Sequence, residues 1–70
     1  MLVEIRVNGE MKQVPDGLTL RTLLEHLGVD GARVAVEYNR GIVRSGQWAT
    51  TPVEAGCEIE IVEFVGGGAA

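Results

Sequence analysis

Two adjacent residues constrain this chain more than any other feature. Asn8-Gly9 stands between the alternating run Val3-Glu4-Ile5-Arg6-Val7 and a second short run from Met11 to Val14. A two-residue type I′ turn needs positive φ at both central positions, and Asn-Gly accepts that conformation at low cost. In the first run Val3, Ile5 and Val7 fall on one side and Glu4 and Arg6 on the other, the period of a half-buried strand. Pro15-Asp16-Gly17 closes the second run as a turn cluster. The chain therefore opens with a β-hairpin whose apolar face needs a cover.

The next segment supplies one. Thr19 can cap a helix through its hydroxyl, and Leu20, Leu23, Leu24 and Leu27 then recur at i, i+3, i+4 and i+7. Gly28 stands where a left-handed residue ends a helix. A helix of about two turns is not stable by itself in water, so it must dock on the hairpin.

Beyond a loop at Asp30-Gly31, Val34 to Tyr38 predict a third strand and Asn39-Arg40-Gly41 a turn. Ile42 and Val43 predict a brief extended piece, Ser45 to Trp48 a single helical turn, and Thr50 to Val53 a brief pairing. Glu54-Ala55-Gly56 is a turn, and Cys57 to Val65 reads as the last strand, with Ile59 and Ile61 inward and Glu58 and Glu60 outward. A parallel strand joins a hairpin only through a crossover, which the helix provides. The expected class is α+β: a β-grasp (ubiquitin-like) fold, a mixed β-sheet with one main helix packed across one face. Residues 1–65 form that domain and 66–70 a glycine-rich tail.

At 70 residues there is room for one small core, and one cysteine with one histidine excludes an internal disulfide and a zinc-ligand cluster. Stability must come from packing, which points to a reducing, cytoplasmic setting. A content of 46% hydrophobic residues argues against disorder in the body of the chain. No run approaches the roughly 20 apolar residues of a membrane span, and no signal-peptide pattern opens the chain. Six basic residues against ten acidic ones give a net charge of -4, which opposes binding to nucleic acid and mildly favours a basic partner surface.

Catalysis has little to work with. The ordinary reading of His26, in the last helical turn, is a solvated imidazole near the negative end of the helix. Cys57 reads as a small buried hydrophobe rather than a nucleophile, and Trp48 as a cover for the core edge. Glu58, Glu60 and Glu63 form an acidic row, read as a solvated or protected strand edge, with contact to a basic partner as the alternative. The glycines of Asn8-Gly9 and Asn39-Arg40-Gly41 are turn residues and nothing more.

What stands out chemically is the end, "VEFVGGGAA". Three glycines are too short for a phosphate-binding loop, and no helix follows them. Without side chains, however, Gly66-Gly67-Gly68 can thread a narrow channel and offer backbone to an enzyme. Five extended residues beyond the last strand reach about 16 Å, enough to enter an active site while the domain stays outside.

Together the stretches "VNGE", "LTLRTLLEHLGVD", "VAVEYNRGIV", "QWA" and "AGCEIEIVEFVGGG" give the chain a likeness along nearly its whole length. It resembles the sulfur-carrier proteins of thiamine biosynthesis, the ThiS type, relatives of the molybdopterin sulfur carrier and of ubiquitin. The resemblance implies a carrier without catalytic residues or a bound cofactor. A ThiF-like enzyme would adenylate the C-terminal glycine with ATP, persulfide sulfur would displace AMP, and a thiazole synthase or another acceptor enzyme would take the sulfur from the thiocarboxylate. Carried over, Gly68 is the adenylation and thiocarboxylate site, Gly67 and Gly66 thread into the partner, and Phe64, Val65 and Glu63 are partner-contact candidates. Such carriers end at the glycine, whereas here Ala69-Ala70 follow. The pair is either removed by a processing metalloprotease or foreign to the natural chain, and the former is the expectation. Two other readings share the fold: a carrier serving cysteine, methionine or another sulfur metabolite, and a ubiquitin-like protein modifier. A third is a plain β-grasp interaction module with an inert tail.

Overall fold

The computed structural model describes residues 1–64. The opening hairpin forms as its turn chemistry requires. Strands β1 (Leu2–Val7) and β2 (Glu10–Pro15) pair antiparallel around Asn8 and Gly9, whose φ angles of 51° and 83° are both positive. β2 outruns its apolar pattern at both ends because Glu10 pairs with Val7 and Pro15 with Leu2.

Helix α1 (Leu20–Leu27) starts and stops where its sequence says. The Thr22 N–H donates to Thr19 Oγ1 at 3.3 Å, and the Thr19 N–H donates back to Thr22 Oγ1 at 2.8 Å, a reciprocal cap that satisfies two otherwise orphaned donors. Gly28 adopts φ 74°, and its N–H and that of Val29 donate to the carbonyls of Glu25 and Leu24. Leu20, Leu23 and Leu24 are buried. Asp30 then caps a 3-10 turn, Gly31–Arg33, where the sequence indicated only a loop.

The remaining strands are β3 (Val34–Tyr38), β4 (Gly41–Val43) and β5 (Glu58–Glu63). They complete a five-stranded sheet in the order β2-β1-β5-β3-β4, in which β1 and β5 run parallel and the other neighbours antiparallel. This is the β-grasp fold, and the core lies between α1 and one face of the sheet. Ile5 and Val14 from the hairpin, Leu20 and Leu23 from α1, and Val36 and Ile59 from the later strands are almost wholly shielded from solvent.

Four expectations need correction. The acidic row on the last strand is not at an edge: β5 is the middle strand, so Glu58 and Glu60 stand on the solvated face of the sheet centre, and edge protection is not their role. The strand itself covers Glu58–Glu63, shorter than the predicted Cys57 to Val65; Phe64 follows it, and Val65 with the tail 66–70 lies outside the described residues. The helical turn at Ser45 extends as a 3-10 helix to Thr50, because the hydroxyls of Thr50 and Thr51 both donate to the Gln47 carbonyl. The predicted pairing of Thr50 to Val53 reduces to one bridge, Thr19 with Pro52, flanked by Leu20 N–H to Thr51 O and Val53 N–H to Leu18 O. That bridge ties the late loop to the start of α1.

The foot of the C-terminal tail as candidate functional site

Gly66, Gly67, Gly68 and Val65 lie outside the described residues, so the site is built from what holds the strand leading to them. β5 has backbone neighbours on both flanks: β1 on one side and β3 on the other. The parallel ladder with β1 includes Arg6 N–H to Cys57 O at 3.0 Å and Asn8 N–H to Ile59 O at 2.9 Å. There β1 turns away, and the next residue of β5 would lose its partner.

The Asn8 side chain replaces it. The Ile61 N–H donates to Asn8 Oδ1 at 2.8 Å, and Asn8 Nδ2 donates to the Ile61 carbonyl at 3.3 Å. An amide carries one acceptor and two donors, so a single side chain can stand in for a strand residue. Asn39 acts similarly at the other flank, its Oδ1 accepting from the Glu58 N–H at 2.9 Å while its own N–H donates to the Glu58 carbonyl. Both positions were read as turn residues only. The usable signal was that both turns carry Asn, the positive-φ residue whose side chain also supplies donor and acceptor.

Replacing Asn8 separates its two jobs. Asn8→Gly keeps the turn and loses both side-chain bonds, which at this solvent-accessible place costs about 1 kcal/mol. Asn8→Ala adds the strain of a Cβ at positive φ and should cost about 2 kcal/mol in urea unfolding. An Asn8→Gly variant as stable as the unsubstituted chain would show that the turn, not the bridge to β5, is what Asn8 provides.

At the far end the Phe64 N–H donates to the Arg33 carbonyl at 2.8 Å, the last described backbone bond before the tail. Phe64 is 55% exposed, so this partner-contact candidate at the tail's foot presents much of its ring to solvent. Glu63 is exposed too, opposite Val34 on β3. The structure thus brings Glu63 and Phe64 together at the exit of the central strand.

The side chains set aside from the sequence fall where expected. His26 is exposed. Trp48 is buried, and its indole N–H donates to the Val43 carbonyl at 2.8 Å, which closes the core edge. Cys57 is buried beside the Tyr38 hydroxyl. Burial pushes its thiol above the ordinary value of 9.0, outweighing hydrogen bonds from the Glu54 backbone and Tyr38. Burial likewise raises Tyr38 above 10.0. A thiol held neutral is a poor nucleophile. Among the described residues no His, Cys, Asp and Glu cluster could hold a metal ion, and no helix is long and apolar enough to cross a membrane.

Both raised groups bind protons more tightly folded than unfolded. Their stabilisation is complete below the unfolded pKa and is lost as pH rises through the folded one. The melting temperature should therefore fall as pH rises beyond 9.0, first through Cys57 and then through Tyr38. Cys57→Ala should lower stability at neutral pH but flatten the first part of that decline. A slope unchanged by Cys57→Ala would remove the thiol from this account.

The family profile described as the ThiS family matches residues 5–68, nearly the whole chain. The chain belongs to the ThiS family. Among solved structures, the crystal structure of the thiamine biosynthesis protein (ThiS) from Geobacter metallireducens superposes with a TM-score of 0.84 at 30% identity, covering 94% of this chain and all of that one. Among curated proteins, a thiazole synthase of Paramagnetospirillum magneticum is 41% identical over 66 residues, which are 94% of this chain and 20% of that protein. This chain thus spans about a fifth of that relative's length and most of another's. The latter is the uncharacterized protein ycf40 of Porphyra purpurea, 30% identical and covered over 93% of its length. ThiS membership agrees with the sulfur-carrier class to which the sequence was likened.

Proposed function

We propose that this ThiS-family chain is a sulfur carrier of thiamine biosynthesis whose reactive group is the carboxylate of Gly68, freed by removal of Ala69-Ala70. The observation that carries the reading is where the family match stops: it runs through the three glycines to residue 68 and leaves the two alanines outside.

The chemistry follows from what a carboxylate lacks. It is a poor acyl donor, so an activating enzyme of the ThiF type first joins a Gly68 oxygen to the α-phosphorus of ATP, with pyrophosphate leaving. The terminal sulfur of a cysteine-derived persulfide then attacks the carbonyl and AMP leaves. A thiol reductant cleaves the resulting acyl disulfide and releases the thiocarboxylate. The domain holds no cofactor in this scheme; ATP is a substrate of the enzyme.

The body of the chain acts as a handle. β5 is fixed on both flanks and by Asn8, so the tail starts from a defined point. Gly66 and Gly67 carry no side chain to obstruct a narrow channel, and Phe64, Val65 and Glu63 are the proposed contacts with the partner's rim. A thiazole synthase is the favoured acceptor, because the segment resembling this chain occurs inside a protein bearing that name. A cytoplasmic setting fits the neutral, unpaired thiol of Cys57.

Intact mass tests the reading. After incubation with cell extract, ATP and cysteine, the chain should lose two alanines and exchange one terminal oxygen for sulfur. A mass unchanged at the terminus would overturn it. Lysine conjugates instead of sulfur exchange would make the chain a protein modifier.

A further inference from the structure

The face of the sheet that α1 leaves uncovered is not polar throughout. Past Glu58 and Glu60 the outward positions turn apolar: Val62 is 54% exposed and Phe64, just beyond β5, 55%. Val62 pairs with Ala35 of β3. Ile42 of β4, 77% exposed, stands one strand further out, opposite Glu37. Three large apolar side chains left to solvent on one part of one face mark an interaction surface.

Charge on this face is answered at one point and left unanswered at the next. Glu58 has the Arg40 guanidinium at 3.6 Å and lies opposite Arg6 on β1. Glu60 lies directly opposite Glu37 across the ladder between β5 and β3. Neither of these two makes an ion pair among the described residues. Cross-strand partners on one face hold their Cβ atoms about 5 Å apart, and like charges so placed destabilise a sheet. The free chain therefore carries a repulsion at Glu37 and Glu60 that its described residues do not offset.

We propose that the activating enzyme docks on this face, with one of its arginines seated between Glu37 and Glu60 and an apolar surface around it covering Ile42, Val62 and Phe64. This docking rests on the carrier reading and names the surface and the chemistry that recognise the partner. A guanidinium carries five N–H donors in a planar fork, so a single side chain can answer two carboxylates. Its arrival relieves the repulsion of the free chain and adds charge-assisted bonds, so the pair favours the complex in two ways. A second copy of the chain is a poor occupant, because the same face would set acid against acid. Phe64 is the last described residue before the glycines, so a partner that draws in the tail comes to rest on this face.

Calorimetric titration of the ThiF-type enzyme of the same organism with the chain ending at Gly68 reads the docking without ATP or persulfide. Glu37→Gln and Glu60→Gln should each weaken binding about tenfold. Each should also raise the urea midpoint of the free chain, by about 0.3 M, because the repulsion is gone. Ile42→Ala should weaken binding severalfold. Glu10→Gln removes the same charge on the far edge strand, beside Lys12, and should leave the affinity within twofold. A merely structural role would couple weaker binding to lower stability, the opposite of this pair of changes. No binding by the unsubstituted chain, equal affinity in Glu60→Gln, or a loss matched by Glu10→Gln overturns the docking. A urea midpoint that falls in both glutamine variants overturns it as well. A tail that gains no sulfur in the mass assay would instead count against the carrier reading, with these affinity ratios still measured.

Discussion

A chain ending at Gly68 should acquire sulfur at its terminus when given activating enzyme, ATP and a persulfide donor, and the same chain carrying Ala69-Ala70 should acquire none. The difference is one of bonding before it is one of fit. With Ala69 attached, the Gly68 carbonyl is an amide and has no oxygen free to attack phosphorus. The carboxylate of Ala70 cannot substitute, because it lies two residues further along. Two extended residues displace it by about 7 Å, and a misplacement of even 1 Å can cost about 100-fold in rate. The alanine methyls would also have to enter a channel shaped for glycine. Mass spectrometry of both chains after the same incubation gives the ratio directly. Comparable sulfur gain in the longer chain would refute Gly68 as the reacting residue. Both chains retain residues 1–64, so circular dichroism should not tell them apart.

The fold was largely legible because its signals are local. Asn8-Gly9 dictates a hairpin through φ alone, and Thr19 with Gly28 bracket a leucine stripe that can only be a short helix. The position of β5 was harder. Its alternation marks a strand with Ile59 inward, but nothing in that pattern says whether it is a middle strand or an edge. That depends on pairing with β1, more than 50 residues earlier in the sequence. The acidic row left a solvated face and a protected edge both open, and Glu58 and Glu60 stand on the solvated face of the sheet centre, where exposure suffices to hydrate them. The reading of the tail glycines rests on the sequence alone, because they lie outside the described residues. Their foot was only half legible. Phe64 and Glu63 follow from sequence order, whereas the Asn8 bridge to Ile61 needs the turn and strand side by side.

Ile59→Ala should unfold most of the protein at room temperature, although the substitution touches neither tail nor turn. Ile59 has no solvent exposure, and its backbone pairs with Val7 on one flank and Tyr38 on the other. Truncating a buried isoleucine to alanine costs about 2–5 kcal/mol, transfer and cavity together. A single core in a domain this small supplies about 3–5 kcal/mol of net stability, so the loss is comparable to the whole. Urea denaturation followed by circular dichroism should find the midpoint near zero denaturant. Ile59→Val, which removes one methylene, should cost about 1 kcal/mol and stay folded. Val62→Ala on the other face of the same strand, where the side chain is 54% exposed, should change stability by about 0.5 kcal/mol or less. If Ile59→Ala and Val62→Ala proved equally mild, β5 would not be the strand that holds the molecule together. If only the buried change unfolds it, sulfur acceptance should fail in Ile59→Ala with Gly68 intact, because a tail on an unfolded chain has no fixed point of departure. Sulfur acceptance then depends on the strand behind the glycine as well as on the glycine itself.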